Sequence, residues 1–331
     1  MKLLSNFQKK FNQEIKFYLE KKEKEFEKLD KKASLLIKII KEFVERGGKR
    51  FRPAIFYFAY SSYSKEKLEE IFKLSFVFEL FHTFALIHDD IIDSSDLRRN
   101  KETIHKKYDL STAILTGDLS LMLADELFFN GLENLNLTSK RQKKAIDLYN
   151  QFKQEVLAGE YLDCQKISDV YKIMELKTAQ YSFVKPATIG FNLAGIGEKE
   201  IIKWEKILKE AGILFQIKDD FVGVFGDAKI IGKPVDSDFK EGKNTIVVKK
   251  FLERCSTDEK TKFLSFFGKK PINKKNILWY KNSLQRHNIF NELNQQIVEN
   301  AKGIDESLNL RPQKKPITKL LKVILLKITH I

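Results

Sequence analysis

Residues 81–93 constrain what this chain can fold into more than any other stretch. They close a long apolar run with helical periodicity, and they end in three carboxylates within five residues: Asp89, Asp90 and Asp93. On a helix, residues four apart share a face, so Asp89 and Asp93 project together about one turn apart. Asp90 lies roughly 100° further round. Because like charges at this spacing destabilise a helix, the pattern predicts a bound cation.

The cation best suited to such a site is Mg²⁺, which usually takes one or two carboxylates together with substrate phosphates. For this motif alone, a solvated acidic helix end is an equal alternative. A second stretch favours the metal, because about 130 residues later another apolar helix ends in Asp219 and Asp220. A loop with basic residues follows each pair. We therefore expect the two acidic helices to meet at a shared site for Mg²⁺ and a diphosphate.

Helical periodicity recurs along the chain, only six prolines occur in 331 residues, and no strand-like alternation appears. The sequence therefore predicts an all-α protein. No linker rich in Pro, Gly or Ser divides it, so a single domain over 1–331 is expected. The predicted helices cover 1–45, 54–62, 66–92, 109–130, 141–165, 171–195, 198–225, 244–268, 276–302 and 316–331.

The chain is basic, with a formal net charge of +15 and a pI of about 9.4. Such a balance can indicate nucleic acid or anionic membrane as a partner. The lysines are spread over amphipathic segments and no recognition motif is present, so solvated helix faces are the better interpretation and no nucleic-acid partner is expected. Cys164 and Cys255 match neither a metal site nor a disulfide framework, which fits a reducing compartment, the cytoplasm. Neither a signal peptide nor a transmembrane helix is expected.

Basic residues lie near both acidic stretches. Lys49 and Arg52 flank a break at Gly47-Gly48 and suit a second anionic group, although an ordinary pair of helix-terminal charges has the same pattern. Lys177-Thr178 combines a point charge with a hydroxyl group. Taken alone, this pair is typical of the exposed surface of a helix.

Arg98 and Arg99 follow the first acidic stretch, where a salt bridge with Asp93 or Asp96 is the plain alternative to a substrate contact. His82 lies two turns before Asp89 and shares its face, so it is either a hydrogen-bonded core residue or an anion contact. His88 lies off that face and is expected to be structural.

These motifs, in this order, resemble the trans-isoprenyl diphosphate synthases, the polyprenyl synthetase family of farnesyl and geranylgeranyl diphosphate synthases. The resemblance spans about residues 40–250, and five spaced motifs together are specific although each alone is weak. They are Gly47 through Pro53, His82 with Asp89–Asp93 and Arg98-Arg99, Lys177-Thr178, Gln216 with Asp219-Asp220, and Gly232-Lys233 through Lys243.

The resemblance implies a helical bundle of the isoprenoid synthase type around a deep central cavity, usually as a homodimer. It implies that Mg²⁺ and the allylic diphosphate are held by Asp89, Asp90, Asp93, Asp219 and Asp220. The implied contacts of the allylic diphosphate are Arg98, Lys177, Thr178, Gln216, Lys233 and Lys243. The implied contacts of isopentenyl diphosphate are Lys49, Arg52, His82 and Arg99.

Two positions depart from the family pattern. Asn100 follows the arginine pair where the family usually has Gly, which puts the shape of that loop in doubt. Gly223 stands at the fifth position of the second acidic motif in place of a third Asp, which weakens the metal role of that position only.

The implied reaction is the loss of diphosphate from the allylic substrate, attack on the cation by isopentenyl diphosphate, and loss of a proton. Phe84 and Phe81 lie five and eight residues before Asp89, about 7.5 and 12 Å along a helix axis. Bulk at these positions is associated with short products in this family, so a C15 or C20 product is expected. The helical wheel alone places Ala85 and Phe81 beside the acidic face, with Phe84 further round, and core packing is the alternative role.

Two other functions remain open at this level. A terpene cyclase shares the acidic helix pair but has no use for residues 47–53. A non-catalytic partner subunit of a synthase often lacks acidic residues that are present here. The basic-apolar segment from Pro316 to Lys327 either makes a weak contact with a membrane surface or packs against the protein body.

Overall fold

A computed structural model of the protein describes residues 2–165, 169–226, 239, 241–269 and 273–329. Helices account for 81% of the chain, which confirms the all-α prediction. Within the described ranges the strands form one short antiparallel hairpin, in which Leu97–Arg98 pairs with Lys101–Glu102.

The chain divides into two compact units, each with its own core. The first contains Met1–Tyr149, Pro186–Ile201 and Lys314–Val323, and the second contains Asn150–Lys185, Ile202–Gln313 and Ile324–Ile331. The single domain expected from the sequence stays a prediction.

The first unit is built mainly from the helices before residue 134 and one later helix. They are α1 (Lys2–Leu29), α2 (Leu35–Glu45), α3 (Phe51–Ser61), α4 (Leu68–Leu74), α5 (Phe76–Ile92), α6 (Ile104–Lys107), α7 (Leu110–Glu133) and α10 (Lys185–Leu193). Helix α8 (Ser139–Cys164) carries the chain from the first set of residues to the second.

Two predicted helices of this unit are each split. The segment 1–45 breaks after residue 29, where Asp30 Oδ1 accepts the backbone N–H groups of Lys32 and Ala33 in a turn that competes with the helix. The segment 66–92 becomes α4 and α5, with Ser75 between them. Pro53 lies in the first turn of α3, as predicted, where its missing N–H costs nothing.

The core of the first unit is rich in aromatic side chains. Helix α1 buries one stripe, and from it Phe7 packs on Phe58 with ring centroids 5.4 Å apart, while Phe11 meets Phe76 edge-on at 5.2 Å. Helices α5 and α7 approach closely at Gly117 of α7. A Cβ at this position would lie 2.4 Å from the ring of His88 on α5. The close approach fixes the axial position of α5, which carries the first acidic motif.

The helices of the second unit follow α8. They are α9 (Val170–Ile173), a π-helix (Met174–Val184), α11 (Glu198–Phe225), α12 (Ile246–Arg254), α13 (Thr257–Phe266), α14 (Lys274–Arg286) and α15 (Ile289–Asn309), with α16 (Pro316–Thr329) closing the chain across both sets of residues. The predicted helix 171–195 changes type near Pro186, since the π-helix ends at Val184 and α10 begins at Lys185 and continues through the proline.

Phenylalanines also build the second core. Phe263 stacks on Phe267 at 4.5 Å and lies 5.1 Å from Phe251, and Tyr280 closes the same cluster. Helix α11 meets the π-helix so tightly that a Cβ at Gly212 would lie 2.5 Å from Ala179 Cα. The abundance of Phe therefore has a packing role in both units.

One stretch, Leu68–Ile92, is long and apolar enough to cross a membrane by composition, with a mean hydropathy of 1.4. Its apolar window is 72% buried within the protein, as in a core helix of a soluble protein. In α16 the apolar face is likewise buried, with Ile317 and Leu320 fully enclosed, and the N–H of Ile317 donates to Ser62 Oγ at 2.9 Å. Packing against the protein body thus accounts for the apolar side of the terminal helix.

Candidate active site

The end of α5 presents the first acidic motif as an ion-pair network. Arg98, from the hairpin, donates Nε–H to Asp90 Oδ1 at 2.8 Å and an Nη2 hydrogen to Asp89 Oδ2 at 3.0 Å. Asp93 caps the C-terminus of the helix and is half-buried. The sequence placed a possible salt bridge of the arginine pair at Asp93 or Asp96, and the structure shows Arg98 paired with Asp89 and Asp90. The charge that the repelling carboxylates require is thus supplied, in this structure, by the protein itself.

Asp89 and Asp90 differ in environment. Asp90 is 1% exposed, and its burial raises the pKa of its carboxyl group to about 6, although Arg98 opposes that shift. Asp89 remains more accessible at the helix end. The two neighbouring acids therefore differ in how far they are removed from solvent.

The donor set fits a hard divalent cation. One oxygen of Asp90, Oδ2, is buried and has no hydrogen-bond partner among the described residues. This carboxylate oxygen is therefore available to a cation. No group of three or more His, Cys, Asp or Glu side chains forms a closed metal site in the described ranges. Mg²⁺ commonly completes its shell with water and substrate phosphates, so a partial carboxylate set is what such an ion uses.

The hairpin that carries Arg98 explains how this chain tolerates Asn100. Arg99 and Asn100 form the two-residue turn, with φ of 53° and 60°. A type I′ turn requires positive φ at both positions, and Asn is among the residues that accept it at least cost. The loop is therefore a regular tight turn without the glycine usual in the family.

Cationic side chains gather around the glycine pair of the same unit. Arg99 donates an Nη1 hydrogen to Gly47 O, and a Cβ at Gly48 would lie 3.0 Å from its guanidinium, so the glycine admits the arginine. Lys49 is exposed on this loop, and Arg52 follows in the first turn of α3.

His82 lies close to these cationic side chains. Burial of its imidazole, and then the nearby charges of Arg52 and Arg99, keep the pKa of His82 well below its usual value. The ring is consequently neutral at physiological pH. It is suited to donate a hydrogen bond to an anion without adding a charge. The structure thus brings Arg52, His82 and Arg99 together, as the sequence predicted.

Two residues beneath this group were missed by the sequence analysis. Arg50 and Glu79 are both 3% exposed and form a buried ion pair. Glu79 precedes His82 by one helical turn, and this spacing is the only local signal for its position. A contact across 29 residues of sequence has no such signal.

In the second unit, Lys177 is held between two carboxylates. Its Nζ lies 2.7 Å from Glu160 and 2.8 Å from Asp163, both on α8. Gly159 makes this approach possible, because a Cβ there would lie 2.9 Å from the backbone N of Lys177. Neither acid was a candidate from the sequence, since a lone carboxylate on an amphipathic helix carries no signal.

The remaining polar residues of this unit form a chain of hydrogen bonds. Thr178 Oγ1 donates to Gln216 Oε1, and Gln216 Nε2 donates to Asp220 Oδ1 at 2.7 Å. The N–H of Ile246 donates to Asp220 Oδ2 at 3.0 Å, at the first turn of α12. Both oxygens of the buried Asp220 thus accept from this unit, and the π-helix, α11 and α12 are tied to one carboxylate.

Asp219 differs from Asp220 in being exposed. Lys243 pairs with Glu241 at 3.2 Å, and Gly223 is buried, in keeping with its lack of a ligand side chain. Lys233 lies outside the described residues, as does Gly232.

The two candidate chain-length residues touch each other. Phe81 and Phe84 are buried, and their rings meet edge-on with centroids 5.3 Å apart. Phe84 also packs on His88 at 4.7 Å, and His88 fills the space left by Gly117 of α7. His88 therefore has the structural role expected from the sequence. The aromatic block directly before Asp89 is a continuous piece of packing.

An acidic helix end paired with an arginine, beside a cationic loop, indicates an α-helical protein that handles diphosphates. The chain belongs to the polyprenyl synthetase family, whose pattern it matches over residues 33–283. Its fold is the all-α isoprenoid synthase fold and it is a short-chain trans-prenyltransferase, as the resemblance implied.

Named relatives agree with this assignment. Geranylgeranyl diphosphate synthase of Sulfolobus acidocaldarius is 33% identical over 250 residues, which are 73% of this chain and 74% of the relative. The short chain isoprenyl diphosphate synthase of Methanocaldococcus jannaschii is 32% identical over 273 residues, 81% of this chain and 78% of the relative. Among solved structures, geranylgeranyl pyrophosphate synthase from Corynebacterium glutamicum, complexed with isoprenyl diphosphate and magnesium, is 25% identical with a TM-score of 0.88, covering 99% of both chains.

Proposed function

We propose that the protein condenses isopentenyl diphosphate with an allylic prenyl diphosphate, in a magnesium-dependent reaction, to farnesyl (C15) or geranylgeranyl (C20) diphosphate. The observation that carries this proposal is the occurrence, in one unit, of two separate anion-handling groups. One is the acidic end of α5 with Arg98, and the other is formed by the cations Lys49, Arg52 and Arg99 together with the neutral His82. Two substrates that each carry a diphosphate require two such groups.

The residues assigned to the allylic diphosphate come from both acidic motifs. We propose that Asp89, Asp90, Asp93 and Asp219 hold Mg²⁺, which when bound supplies positive charge to the departing diphosphate. Asp220 is assigned to the same set by the resemblance. The cationic and polar contacts proposed for the allylic diphosphate are Arg98, Lys177, Thr178, Gln216, Lys233 and Lys243.

The reaction needs no side-chain nucleophile. The allylic carbon–oxygen bond breaks and leaves a cation, and the double bond of isopentenyl diphosphate attacks it to form the new carbon–carbon bond. A proton then leaves the adduct for the released diphosphate. The neutral His82 and the guanidinium groups of Arg52 and Arg99 hold the second diphosphate in place. Preorganised charge and the exclusion of water therefore provide most of the acceleration.

The test is condensation of radiolabelled isopentenyl diphosphate with C5, C10 and C15 allylic primers, with product sizing by reversed-phase chromatography after dephosphorylation. We expect labelled C15 or C20 product only when a primer and Mg²⁺ are both present, and no product after chelation of the metal. A hydrocarbon formed from the primer alone would identify a terpene cyclase. Lack of turnover with every primer would favour the non-catalytic subunit.

We propose a homodimer, with a second copy of the chain on the exposed face of α7. Leu115, Met122 and Phe129 recur there at intervals of seven residues, so they share one face, and each is exposed. Neighbouring apolar side chains in this pattern are typical of a surface that another molecule covers.

Met122→Glu is expected to convert the dimer into a monomer, because a charge buried at the centre of an interface has no partner. Sedimentation equilibrium measures the mass of each variant. Phe17→Glu on α1 is the matched control. The side chain of Phe17 is 72% exposed, close to the 65% of Met122, and it lies on a different helix. A wild-type chain that sediments as a monomer, or a dimer unaffected by Met122→Glu, would contradict the assignment.

Cys164, which is exposed, and Cys255, which is half-buried, are not in a disulfide. Reduced cysteines suit the cytoplasm, which we propose as the location of the enzyme.

A further inference from the structure

We infer that helix α1 and the buried pair Arg50–Glu79 act as positioning elements for the loop that binds isopentenyl diphosphate. This inference rests on the proposed function, because it assigns that substrate to the loop of residues 47–52. None of the residues involved touches the substrate in the mechanism above.

Arg50 is one of the two residues between the proposed ligands of the loop, Lys49 and Arg52, yet it is 3% exposed. Its backbone has φ of 51°, a left-handed conformation that residues other than glycine rarely adopt. Such a conformation persists only where the surroundings hold it in place.

The guanidinium of Arg50 provides that hold. Its Nε–H donates to Asn12 Oδ1 at 2.9 Å, Nη2 donates to Val44 O at 2.6 Å, and Nη1 donates to the carboxylate of Glu79. All three nitrogens thus have an acceptor within the protein. Arg50 therefore ties α1, α2 and α5 to the backbone directly after Lys49.

Glu79 is the anion that makes this arrangement stable. It is 3% exposed and one turn before His82 on α5. Its charge also acts on Arg99, where it opposes the lowering of the pKa of that guanidinium by burial. A single buried carboxylate thus balances two arginines, one beneath the loop and one bonded to Gly47 O.

Helix α1 contributes two amides on one face. Gln8 Nε2 donates to Lys49 O at 2.7 Å, and Asn12, one turn later, accepts from Arg50. Both residues precede residue 33, where the match to the family begins. The loop is therefore held partly by a segment that precedes the matched residues, and loss of these two amides is expected to weaken the affinity for isopentenyl diphosphate.

The test compares Gln8→Ala/Asn12→Ala and Glu79→Gln with wild type. In the α1 double variant, the loss of one neutral hydrogen bond and one from the charged Arg50 predicts a rise of roughly 5- to 10-fold in the KM for isopentenyl diphosphate, and Glu79→Gln is expected to change it in the same direction. Its Kd, measured by calorimetry with Mg²⁺ and no allylic primer, is expected to rise by the same factor. The kcat and the KM for the allylic primer are expected to stay within about twofold, because a uniform binding effect leaves kcat unchanged.

Glu69→Gln is the matched control. It removes another contact of α1, the exposed Lys10–Glu69 pair at 2.8 Å, without touching the loop, and all constants are expected to equal those of wild type. Arg50→Lys keeps the charge but not the three-way donor geometry, and is expected to behave like the α1 double variant.

Three results would overturn the inference. They are unchanged KM and Kd for isopentenyl diphosphate in the α1 double variant, equal changes for both substrates, and an effect of Glu69→Gln as large as that of the double variant. If Glu79→Gln does not fold, the α1 double variant, which alters only partly or fully exposed side chains, decides the question. A wild-type enzyme that condenses no substrate would refute the proposed function itself, and that result appears before any variant is made.

Discussion

Replacement of Asp89 and Asp93 by alanine together is expected to abolish magnesium-dependent condensation while the helical fold persists. The two carboxylates lie one turn apart on α5, at the helix end where Arg98 already binds Asp89 at 3.0 Å. Removal of one preorganised charge-stabilising group typically costs roughly 10²- to 10³-fold in kcat, so loss of two predicts a fall of at least about 10³-fold.

Asp96→Ala is the control for this pair. Asp96 lies in the same acidic segment but is 76% exposed and pairs only at the surface, with Lys106 at 3.1 Å. We expect it to keep wild-type turnover. Circular dichroism reports the helical content of all variants, and kcat is measured over a range of Mg²⁺ concentrations. Turnover retained by the double variant at any Mg²⁺ concentration would refute the metal assignment.

The acidic motif shows how far local sequence rules reach. Periodicity located α5 and α11 well: Glu198–Phe225 has the predicted bounds, and α5 ends at the predicted carboxylates. Spacing on a helix is set by backbone geometry, so it can be read from one sequence. Burial cannot be read from one sequence. Asp89 and Asp90 were therefore both assigned to the metal, although Asp90 is 1% exposed.

Helix ends were less accessible to prediction. Residues 1–45 read as one helix because apolar residues recur through the break, whereas Asp30 bonds to the next backbone N–H groups and starts a turn. At 66–92 the apolar pattern likewise hides the division at Ser75. Competition between a short polar side chain and the helix is decided by tertiary packing as much as by propensity.

Partners distant in sequence were beyond the reach of periodicity. Glu79 and Asn12 lie 29 and 38 residues from Arg50, and Glu160 and Asp163 are brought to Lys177 by the close approach at Gly159. The motifs predicted which basic side chains belong to the site, because each of these side chains is part of a local sequence pattern. Which acid faces each cation follows from the packing of whole helices.

Replacement of Phe81 and Phe84 by alanine together is expected to lengthen the product by one or more isoprene units. Both rings lie on α5 before Asp89, about 12 and 7.5 Å away along the helix axis, and they pack edge-on on each other. If the growing chain extends from the diphosphate along α5, this block stops it. Removal of both rings leaves space that a longer apolar chain fills favourably.

The control for this prediction separates a length stop from general loss of packing. Phe76→Ala removes a ring from the same helix, on the face that meets Phe11 at 5.2 Å, and is expected to lower stability without a change in product length. Each large-to-small change is expected to cost about 3–5 kcal/mol of unfolding free energy, so Phe84→Ala alone serves if the double variant unfolds.

Product sizing by reversed-phase chromatography gives the decisive result. Because Phe84 contacts both Phe81 and His88, its removal opens the block at the end nearer Asp89, and Phe81 remains as a second stop. The single variant is therefore expected to shift the product distribution less than the double variant. An unchanged distribution in both, with catalysis intact, would show that these rings only pack the core, and that the chain-length stop lies on another element.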